Sequence, residues 1–272
     1  MLTKCLLALI VFVACVSSRK LPKEECTIIK NPMPIPPVGV VCANPDRAQL
    51  IAKEYFDWYF THTDFRGYKV YVGEYKGVQL FSTYTGLGSA SAAFMMEELV
   101  ANGAEVVIRL GTNDYNVTER DVNNVYVVNE CHGLTGLMRD YGYPDEECGS
   151  GIPASKELVH SLLNSAPKFP EVKVVNSTGY NIDAFYSFFD PENVSQDETR
   201  VKTLIKEYEH KRCNCRDMET CAVLLVGQMR GIKTAAVLQA VVKSGKKHEG
   251  TGTTGIKIVL ETLHQQSQNL HN

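Results

Sequence analysis

The sequence predicts an α/β protein in which strands and helices alternate within a single domain. The clearest unit spans residues 82–113, where a β-rich run ends in Gly86-Leu87-Gly88, an apolar helix begins at Ser89, and an apolar strand begins at Val106. Units of this βαβ kind build parallel sheets that are buried on both faces. The alternation continues along the chain without an internal repeat or a long low-complexity linker, which favours one domain.

Hydrophobic periodicity predicts the individual elements in order. Apolar or alternating runs predict strands at 38–42, 68–74, 78–84, 106–110, 122–129, 172–175 and 234–242. Helical spacing predicts helices over 45–60, from 89 to about 102, after a cap at Ser155, and over 200–211, 217–229 and 256–265. Pro45 suits a first helical turn, and Lys76-Gly77 suits the turn of a hairpin. The glycine-rich segments 131–153 and 244–255 are predicted as loops.

The first 18 residues have the composition of a secretory signal peptide. Lys4 supplies a positive start, residues 5–16 form an apolar core, and Ser17-Ser18 offers a cleavage point. The core is too short to span a bilayer, so a retained anchor is the weaker alternative. We therefore predict a secreted or secretory-pathway protein, with an extended proline-rich arm at 19–37 and a domain at 38–272.

Sequons and cysteines agree with a secretory route. Three acceptor asparagines, Asn116, Asn176 and Asn193, lie in Asn-x-Ser/Thr sequences, and we predict that they carry sugar. Two of the nine cysteines lie in the leader, so seven remain, an odd number that leaves at least one thiol free or paired between chains.

The surroundings of the cysteines predict different roles. Cys42 and Cys221 lie in apolar runs and are predicted to be buried as small hydrophobic residues. The others with polar neighbours are candidates for a disulfide, and they are Cys131, Cys148, Cys213 and Cys215. No metal is expected, because Cys213-Asn-Cys215 has no second ligand pair nearby.

The overall charge argues against a polyanionic partner. The formal net charge is −3, and no basic run or stripe of alternating basic and aromatic residues is present. Binding to nucleic acid is therefore not expected, and neither is a membrane partner once the leader is removed. Small molecules remain as the expected ligands.

Arg109 is the residue that points most directly to a ligand. It lies within the apolar strand that begins at Val106, where an arginine needs an acidic or anionic partner. The glycine turn at 86–88 allows close backbone approach, and Thr112 adds a hydroxyl donor. Ligands of parallel sheets lie beyond the carboxyl ends of strands. Two interpretations stay open at this point: an anion site at that edge, or a structural salt bridge beneath the sheet.

Taken in order, six segments resemble the hexameric-type nucleoside phosphorylases, the family of uridine phosphorylase and bacterial purine nucleoside phosphorylase. The resemblance covers nearly all of the mature chain. The segments are Val41-Cys-Ala-Asn-Pro-Asp-Arg47, Arg66-Gly, Thr85-Gly-Leu-Gly-Ser89, Arg109-Leu-Gly-Thr112, Asp183-Ala-Phe-Tyr186 and Asp217-Met-Glu-Thr220.

The resemblance implies a three-layer α/β/α domain around a mixed, barrel-like sheet, and an activity. The reaction is phosphate-dependent cleavage of the glycosidic bond of a nucleoside, with inorganic phosphate as co-substrate and no other cofactor. Glu219 and Arg109 are the implied catalytic residues. The implied phosphate contacts are Arg47, Arg66, Arg109, Gly111 and Thr112. The implied ribose contacts are Met218, Glu219 and Thr112, and the implied base contacts are Phe185 and Lys243.

The resemblance also implies an assembly. In this family the counterpart of Arg66 is lent to the phosphate site of a neighbouring subunit. A homodimer or a hexamer is therefore expected, and the phosphate site is expected to depend on association.

Several positions depart from the family pattern. Val242 stands where purine enzymes carry an aspartate, and Lys243-Ser244 where pyrimidine enzymes carry an arginine. Phe189 and Pro191 replace the glutamine and arginine of pyrimidine enzymes, and the arm lacks the usual histidine. Since the purine acid is missing, a pyrimidine nucleoside is slightly favoured.

These departures keep two further functions open. One is an inactive nucleoside-binding or storage protein on the same fold, in the manner of the plant vegetative storage proteins. The other is a nucleoside hydrolase, which is less favoured because Ala43-Asn44 supplies no acid to activate water.

Overall fold

The computed structural model describes residues 22–29, 35–63, 65–115, 117–121, 124–134, 136–241 and 253–270. Within these ranges the chain forms ten strands and nine α-helices. The strands are β1 Val38–Cys42, β2 Trp58–Thr63, β3 Lys69–Tyr75, β4 Val78–Tyr84, β5 Val106–Asn113, β6 Asn124–His132, β7 Ile152–Pro153, β8 Lys173–Asn181, β9 Cys215–Asp217 and β10 Lys233–Ala240. The helices are α1 Pro45–Tyr55, α2 Ser89–Ala101, α3 Gly136–Asp140, α4 Lys156–Ser165, α5 Phe185–Phe189, α6 Pro191–Val194, α7 Glu198–His210, α8 Thr220–Arg230 and α9 Thr253–Leu270.

All ten strands join one mixed sheet. Their order is β2-β3-β4-β1-β5-β10-β6-β8-β9, and β7 pairs with β6 beside this path. The central strands β4, β1, β5 and β10 run parallel, whereas β2, β3 and β4 pair antiparallel, as do β10 and β6. Helix α2 packs on α8, and α9 packs on α4 and on β5. The predicted three-layer α/β/α fold is confirmed.

The sheet curves so that its last strand returns to the centre. The backbone N–H of Arg216 in β9 donates to Oδ1 of Asn113 at the end of β5, at 3.1 Å, although three strands separate β5 from β9 in the sheet order. This closure produces the barrel-like shape that the resemblance implies. It also brings the carboxyl ends of β5 and β9 together at one edge.

Strand β5 is buried because strands pair with it on both sides. Arg109 lies opposite Val41 of β1 and Ala236 of β10. All residues of β1, and every residue of β5 except Thr112, are buried. The run of valine, isoleucine and leucine that predicted this strand is therefore the centre of the core.

The predicted helix over 45–60 was wrong at its C-terminal end. Helix α1 stops at Tyr55, and Trp58–Thr63 forms the edge strand β2, which pairs antiparallel with β3. Aromatic and β-branched residues dominate this segment, and they favour a strand over a further helical turn.

Other boundaries also differ from the expectations. The segment 131–153 holds α3 and β7 as well as loops, and β8 extends from Lys173 to Asn181. The apolar helix predicted over 217–229 begins at Thr220, because Asp217 ends strand β9. The final helix spans Thr253–Leu270, and residues 242–252 lie outside the described part of the chain.

The described part of the N-terminal arm is anchored to α2. Residues Lys23–Glu25 form a 3₁₀ turn, and Ile28 and Ile29 are buried. The carboxylate of Glu98 accepts backbone N–H groups from Thr27, Ile28 and Ile29 at 2.6–3.0 Å. Glu98 is itself buried, so these donors satisfy its charge. The leader at 1–18 lies outside the described residues.

One disulfide contradicts a cysteine prediction. Cys221 of α8 is bonded to Cys131 of β6, with their Cα atoms 5.2 Å apart, whereas the sequence predicted a small buried hydrophobic residue at 221. Apolar surroundings in sequence do not reveal a partner that is 90 residues away. Among the other described cysteines, five are free: Cys26, Cys42, Cys148, Cys213 and Cys215.

None of the described helices combines the length and the apolar character needed to cross a bilayer.

Candidate active site

The centre of the site is a buried ion cluster built on Arg109. The Nε of Arg109 donates to Oδ2 of Asp217 at 2.8 Å, and its Nη2 donates to Oε2 of Glu219. Only 2% of Arg109 is exposed, and both carboxylates are also buried. The structural salt bridge that the sequence left open is therefore present, and it joins β5 to the β9–α8 junction.

The same cluster leaves one donor unused. Nη1 of Arg109 is buried and has no hydrogen-bond partner within the described chain. An orphaned guanidinium donor is costly away from water, and Arg109 lines a cavity. The salt bridge of the first interpretation is therefore confirmed, whereas the anion site stays a prediction, which the unpaired donor and the adjacent cavity support.

Asp217 and Glu219 owe their positions to the start of helix α8. Oδ2 of Asp217 accepts the backbone N–H of Thr220 at 3.1 Å and its hydroxyl at 2.6 Å. These bonds satisfy donors at the helix N-terminus. Oε1 of Glu219 accepts the N–H of Gly88 at 2.7 Å. Each carboxylate oxygen of Glu219 therefore keeps a lone pair for a further donor.

Burial disfavours the charged form of Glu219. Burial therefore raises the pKa of Glu219, and the negative charge of Asp217 raises it further. The positive charge of Arg109 opposes this shift. The pKa of such a carboxylate changes when a charged group binds beside it.

The cluster opens into a cavity of about 360 Å³. Its lining residues include arginines, acidic residues, a threonine and apolar residues. The lining includes Arg47, Arg109, Gly111, Thr112, Asp114, Ile182, Phe185, Arg216, Met218, Glu219 and Val241.

Arg47 supplies a second cation to the cavity. It lies in the first turn of α1, and its Nη1 reaches the carbonyl oxygen of Leu110 at 3.4 Å. Burial lowers the pKa of Arg47, and the nearby Arg109 cation lowers it further. No carboxylate among the described residues forms an ion pair with it. A cation beside the positive end of a helix dipole is favourable when an anion joins it.

Comparison with known proteins identifies the family. Residues 37–271 match the sequence profile of the phosphorylase superfamily. The chain belongs to this family. It is 25% identical to a purine nucleoside phosphorylase of Plasmodium vivax (strain Salvador I) over 206 residues, 74% of this chain and 76% of the relative.

Two solved structures share the fold of this phosphorylase-family chain. Uridine phosphorylase from Vibrio fischeri ES114 superimposes with a TM-score of 0.68 at 25% identity, covering 90% of this chain and 95% of that one. Purine nucleoside phosphorylase from Toxoplasma gondii, in complex with immucillin-H, gives a TM-score of 0.69 at 22% identity, covering 88% and 93%. The resemblance to nucleoside phosphorylases is confirmed, and the nucleoside phosphorylases of this family use phosphate as co-substrate and need no cofactor.

Most of the predicted site residues of this phosphorylase-family chain meet in the one cavity. Arg47, Arg109, Gly111 and Thr112 line it, as do Phe185, Met218 and Glu219. The end of β5 and the starts of three helices, α1, α5 and α8, supply this set, and these segments are distant in sequence. Lys243 lies outside the described residues, so its predicted base contact stays a prediction.

Arg66 lies elsewhere in the same chain. It lines a second cavity, of about 250 Å³, together with Ile28, Tyr68 and Phe94. Its backbone has φ = 70°, a left-handed conformation that is unusual for arginine. An arginine that is meant for a neighbouring subunit is expected to lie apart from its own site.

The sequence did not single out two charged residues of the cavity, Arg216 and Asp114. Arg216 is 7% exposed, and its Nε donates to Oδ1 of Asp114 at 3.2 Å. A signal was available, since Arg216 directly precedes Asp217-Met218-Glu219. Periodicity does not predict Arg216 as part of a strand, because a three-residue strand such as β9 is too short to show a pattern.

Proposed function

We propose that this protein is a nucleoside phosphorylase, which transfers the sugar of a nucleoside to inorganic phosphate and releases the free base and ribose 1-phosphate. The observation that carries the proposal is Arg109, fixed by Asp217 and Glu219 while its buried Nη1 lacks a partner at the cavity wall. Membership of the phosphorylase superfamily supports the same reaction.

The cationic side of the cavity suits phosphate. Arg47 and Arg109 both line it, and Thr112 adds a hydroxyl group. Arginine forks match the oxygen pairs of phosphate, and charge-assisted bonds of this kind are short and strong. In this proposal Arg109 Nη1 and Arg47 hold the nucleophilic phosphate, with Thr112 and the backbone at Gly111 completing the cradle.

Glu219 suits the sugar. Its carboxylate is held by Gly88 and Arg109 and still has acceptor capacity. We assign it the ribose 2′- and 3′-hydroxyls, with Met218 against the sugar face. Positive charge develops on the sugar as the glycosidic bond breaks, and a fixed carboxylate nearby stabilises it. Arg109 and Glu219 thus act as one unit on phosphate and ribose.

The apolar side of the cavity suits a nucleobase. Ile182, Phe185 and Val241 line it, and the ring of Phe185 offers a stacking surface. We propose a slight preference for pyrimidine nucleosides, because no acid stands at position 242 to protonate a purine. Lys243 is proposed as a further base contact on the chain beyond Val241.

A panel of nucleosides tests the proposal. Protein purified from a secreting host is incubated with uridine, thymidine, inosine and adenosine, each with and without phosphate, and the free base is quantified. We expect phosphate-dependent release, strongest with uridine, and its loss in Arg109→Ala and Glu219→Ala. The exposed Lys53→Ala variant is the matched control and should stay active. Full activity in both site variants would refute the assignment.

The second candidate is a binding or storage protein on the same fold. The residues that stand at the expected base contacts favour this candidate. Pyrimidine enzymes carry polar base contacts at the positions of Phe189 and Pro191. Here Phe189 is 52% exposed, and Pro191 begins the separate helix α6. This candidate predicts no turnover with any nucleoside while phosphate or nucleoside still binds.

We propose that the mature protein is secreted and glycosylated. Asn176 and Asn193 are both exposed, as a glycan acceptor must be, and Asn116 lies outside the described residues. A mobility shift after treatment with peptide N-glycosidase, absent from a variant with all three asparagines changed to glutamine, tests this proposal. An unchanged mobility would contradict it.

We also propose a homo-oligomer, a dimer or a hexamer, in which Arg66 completes a neighbour's phosphate site. The separate cavity that holds Arg66 supports this arrangement. Sedimentation at several concentrations tests the association itself, and a monomer at all concentrations would contradict it.

A further inference from the structure

Arg216 is the charged residue of the cavity that the proposed mechanism leaves without a role. It is buried, it lines the same cavity as Phe185, and its partner Asp114 lines that cavity too. Buried arginines are rare unless paired. The pairing with Asp114 explains how the charge is tolerated, but not why both side chains face the cavity.

The side chain of Arg216 and that of Arg109, which is proposed to bind phosphate, are held from different sides of β9. The backbone N–H of Arg216 is bonded to Asn113, which lies four residues beyond Arg109 along β5. Arg216 also directly precedes Asp217, which holds Arg109, and successive side chains of a strand point to opposite faces. The side chain of Arg216 therefore leaves β9 on the side opposite to that of Asp217.

Its side chain is held in place before any ligand arrives. Nε donates to Asp114 at 3.2 Å, and the guanidinium lies 5.3 Å from the centre of the Tyr115 ring. Burial raises the pKa of Tyr180, and the positive charge of Arg216 is the largest influence that opposes it, so this phenol is also close. The side-chain hydrogen bond of Arg216 to Asp114 uses Nε and leaves its Nη groups as further donors beside the cavity.

We propose that Arg216 recognises the nucleobase, by donating from its Nη groups to a ring carbonyl oxygen of a pyrimidine and stabilising the negative charge that builds on the departing base. This inference rests on the proposed function. Arg216, at β9, would supply the polar base contact that pyrimidine enzymes make from the positions of Phe189 and Pro191. Asp114 acts as a positioning residue, because it fixes Nε and turns the Nη groups towards the ligand.

The chemistry favours this role over proton donation. Arginine stays protonated throughout the accessible pH range, so it stabilises an anion without giving up a proton. In phosphorolysis the glycosidic C–N bond breaks, both bonding electrons go to the base, and phosphate oxygen bonds to C1′. A preorganised cation beside the base lowers the energy of that charge-separated state.

The test compares leaving groups. Uridine and 5-fluorouridine differ in one atom, and fluorine stabilises the base anion. Arg216→Met should lower kcat/KM for uridine by roughly 10²-fold, lower it less for 5-fluorouridine, and leave the KM for phosphate unchanged. Asp114→Asn should produce a smaller loss of the same pattern, and exposed Arg200→Met is the matched control. An equal loss for both substrates, with a raised phosphate KM, would overturn the proposal.

A binding measurement separates this inference from the proposed function. Turnover by the unaltered protein decides the function, and its absence with all nucleosides would refute that proposal alone. Equilibrium dialysis with free uracil then tests Arg216 directly, in the unaltered protein and in Arg216→Met. Weaker binding in the variant, with an unchanged melting temperature, supports the role, and equal binding contradicts it.

Discussion

Gly111 leaves the space that the guanidinium of Arg109 occupies. A Cβ atom built on Gly111 would lie 2.7 Å from Nη2 and 3.1 Å from Cζ of Arg109, and 2.6 Å from Cδ2 of Leu238. The two separations below 3.0 Å are shorter than real Cβ atoms show, and the third is tight. The glycine two residues after the arginine therefore makes room for Arg109, whose side chain extends along its own strand past Gly111 towards Asp217 and Glu219.

Gly111→Ala is expected to displace Arg109 and to reduce activity more than stability. A displacement of about 1 Å at a catalytic group can cost roughly 10²-fold in rate. The measurement is kcat/KM for phosphate and nucleoside, alongside the melting temperature. Gly136→Ala is the control, since a Cβ there meets no atom within 4 Å. Equal activity of the two variants would contradict the account.

The pH dependence of the reaction is expected to report Glu219. Burial raises its pKa, and the ionised form is the one that accepts the ribose hydroxyls. Activity should therefore fall as the pH is lowered through a pKa above that of an ordinary glutamate. Phosphate also titrates, so the acid limb should be compared with that of Glu219→Gln. We expect this variant to lose about 10²–10³-fold in kcat/KM and to lack the glutamate-dependent limb. An identical acid limb in both proteins would contradict this role.

Mixed oligomers test whether Arg66 acts in a neighbouring subunit. Arg66→Ala and Arg109→Ala subunits are each expected to be inactive alone. In a dimer, co-expression should restore intact sites in roughly a quarter of the total, because half of the dimers are mixed and one of two sites in each is complete. The control mixes Arg109→Ala with Glu219→Ala, where every site lacks one residue of its own chain. Activity no higher than in this control would refute the lending of Arg66.

The Cys131–Cys221 disulfide is expected to stabilise the segment that carries Glu219, since Cys221 lies two residues after it in chain order. Replacing both cysteines with serine should lower the free energy of unfolding by about 2–4 kcal/mol. Denaturant unfolding measures the change. A reducing agent should destabilise the unaltered protein and leave the double variant unaffected. Equal sensitivity of both proteins to reduction would show that the bond does not contribute.

Much of the fold and of the cavity could be predicted from local signals. The run around Arg109 identified a buried strand, and one arginine within it implied an anionic partner. The partners, Asp217 and Glu219, are about 110 residues away, and only the family resemblance connected them to Arg109. Hydrophobic periodicity predicts the helices and strands and their buried faces, but it does not predict which distant segments come into contact.

What the sequence could not reveal depends on long-range closure. The β2 strand is stabilised by pairing with β3, which overrides the helical continuation of α1. The Cys131–Cys221 bond needs β6 and α8 to be adjacent, and Arg216 reaches the cavity only because β9 returns to β5. Each of these depends on a partner that is remote in sequence.

The most direct test of the account identifies the sugar product. Uridine and inorganic phosphate are incubated with the purified protein, and the mixture is followed by ³¹P nuclear magnetic resonance together with quantification of free base. We predict ribose 1-phosphate and uracil in equal amounts, with no release in the absence of phosphate and a loss of about 10²–10³-fold in Arg109→Met. Free ribose without a sugar phosphate, or no cleavage of any nucleoside, would contradict a phosphate-binding role for the Arg109 cluster in catalysis.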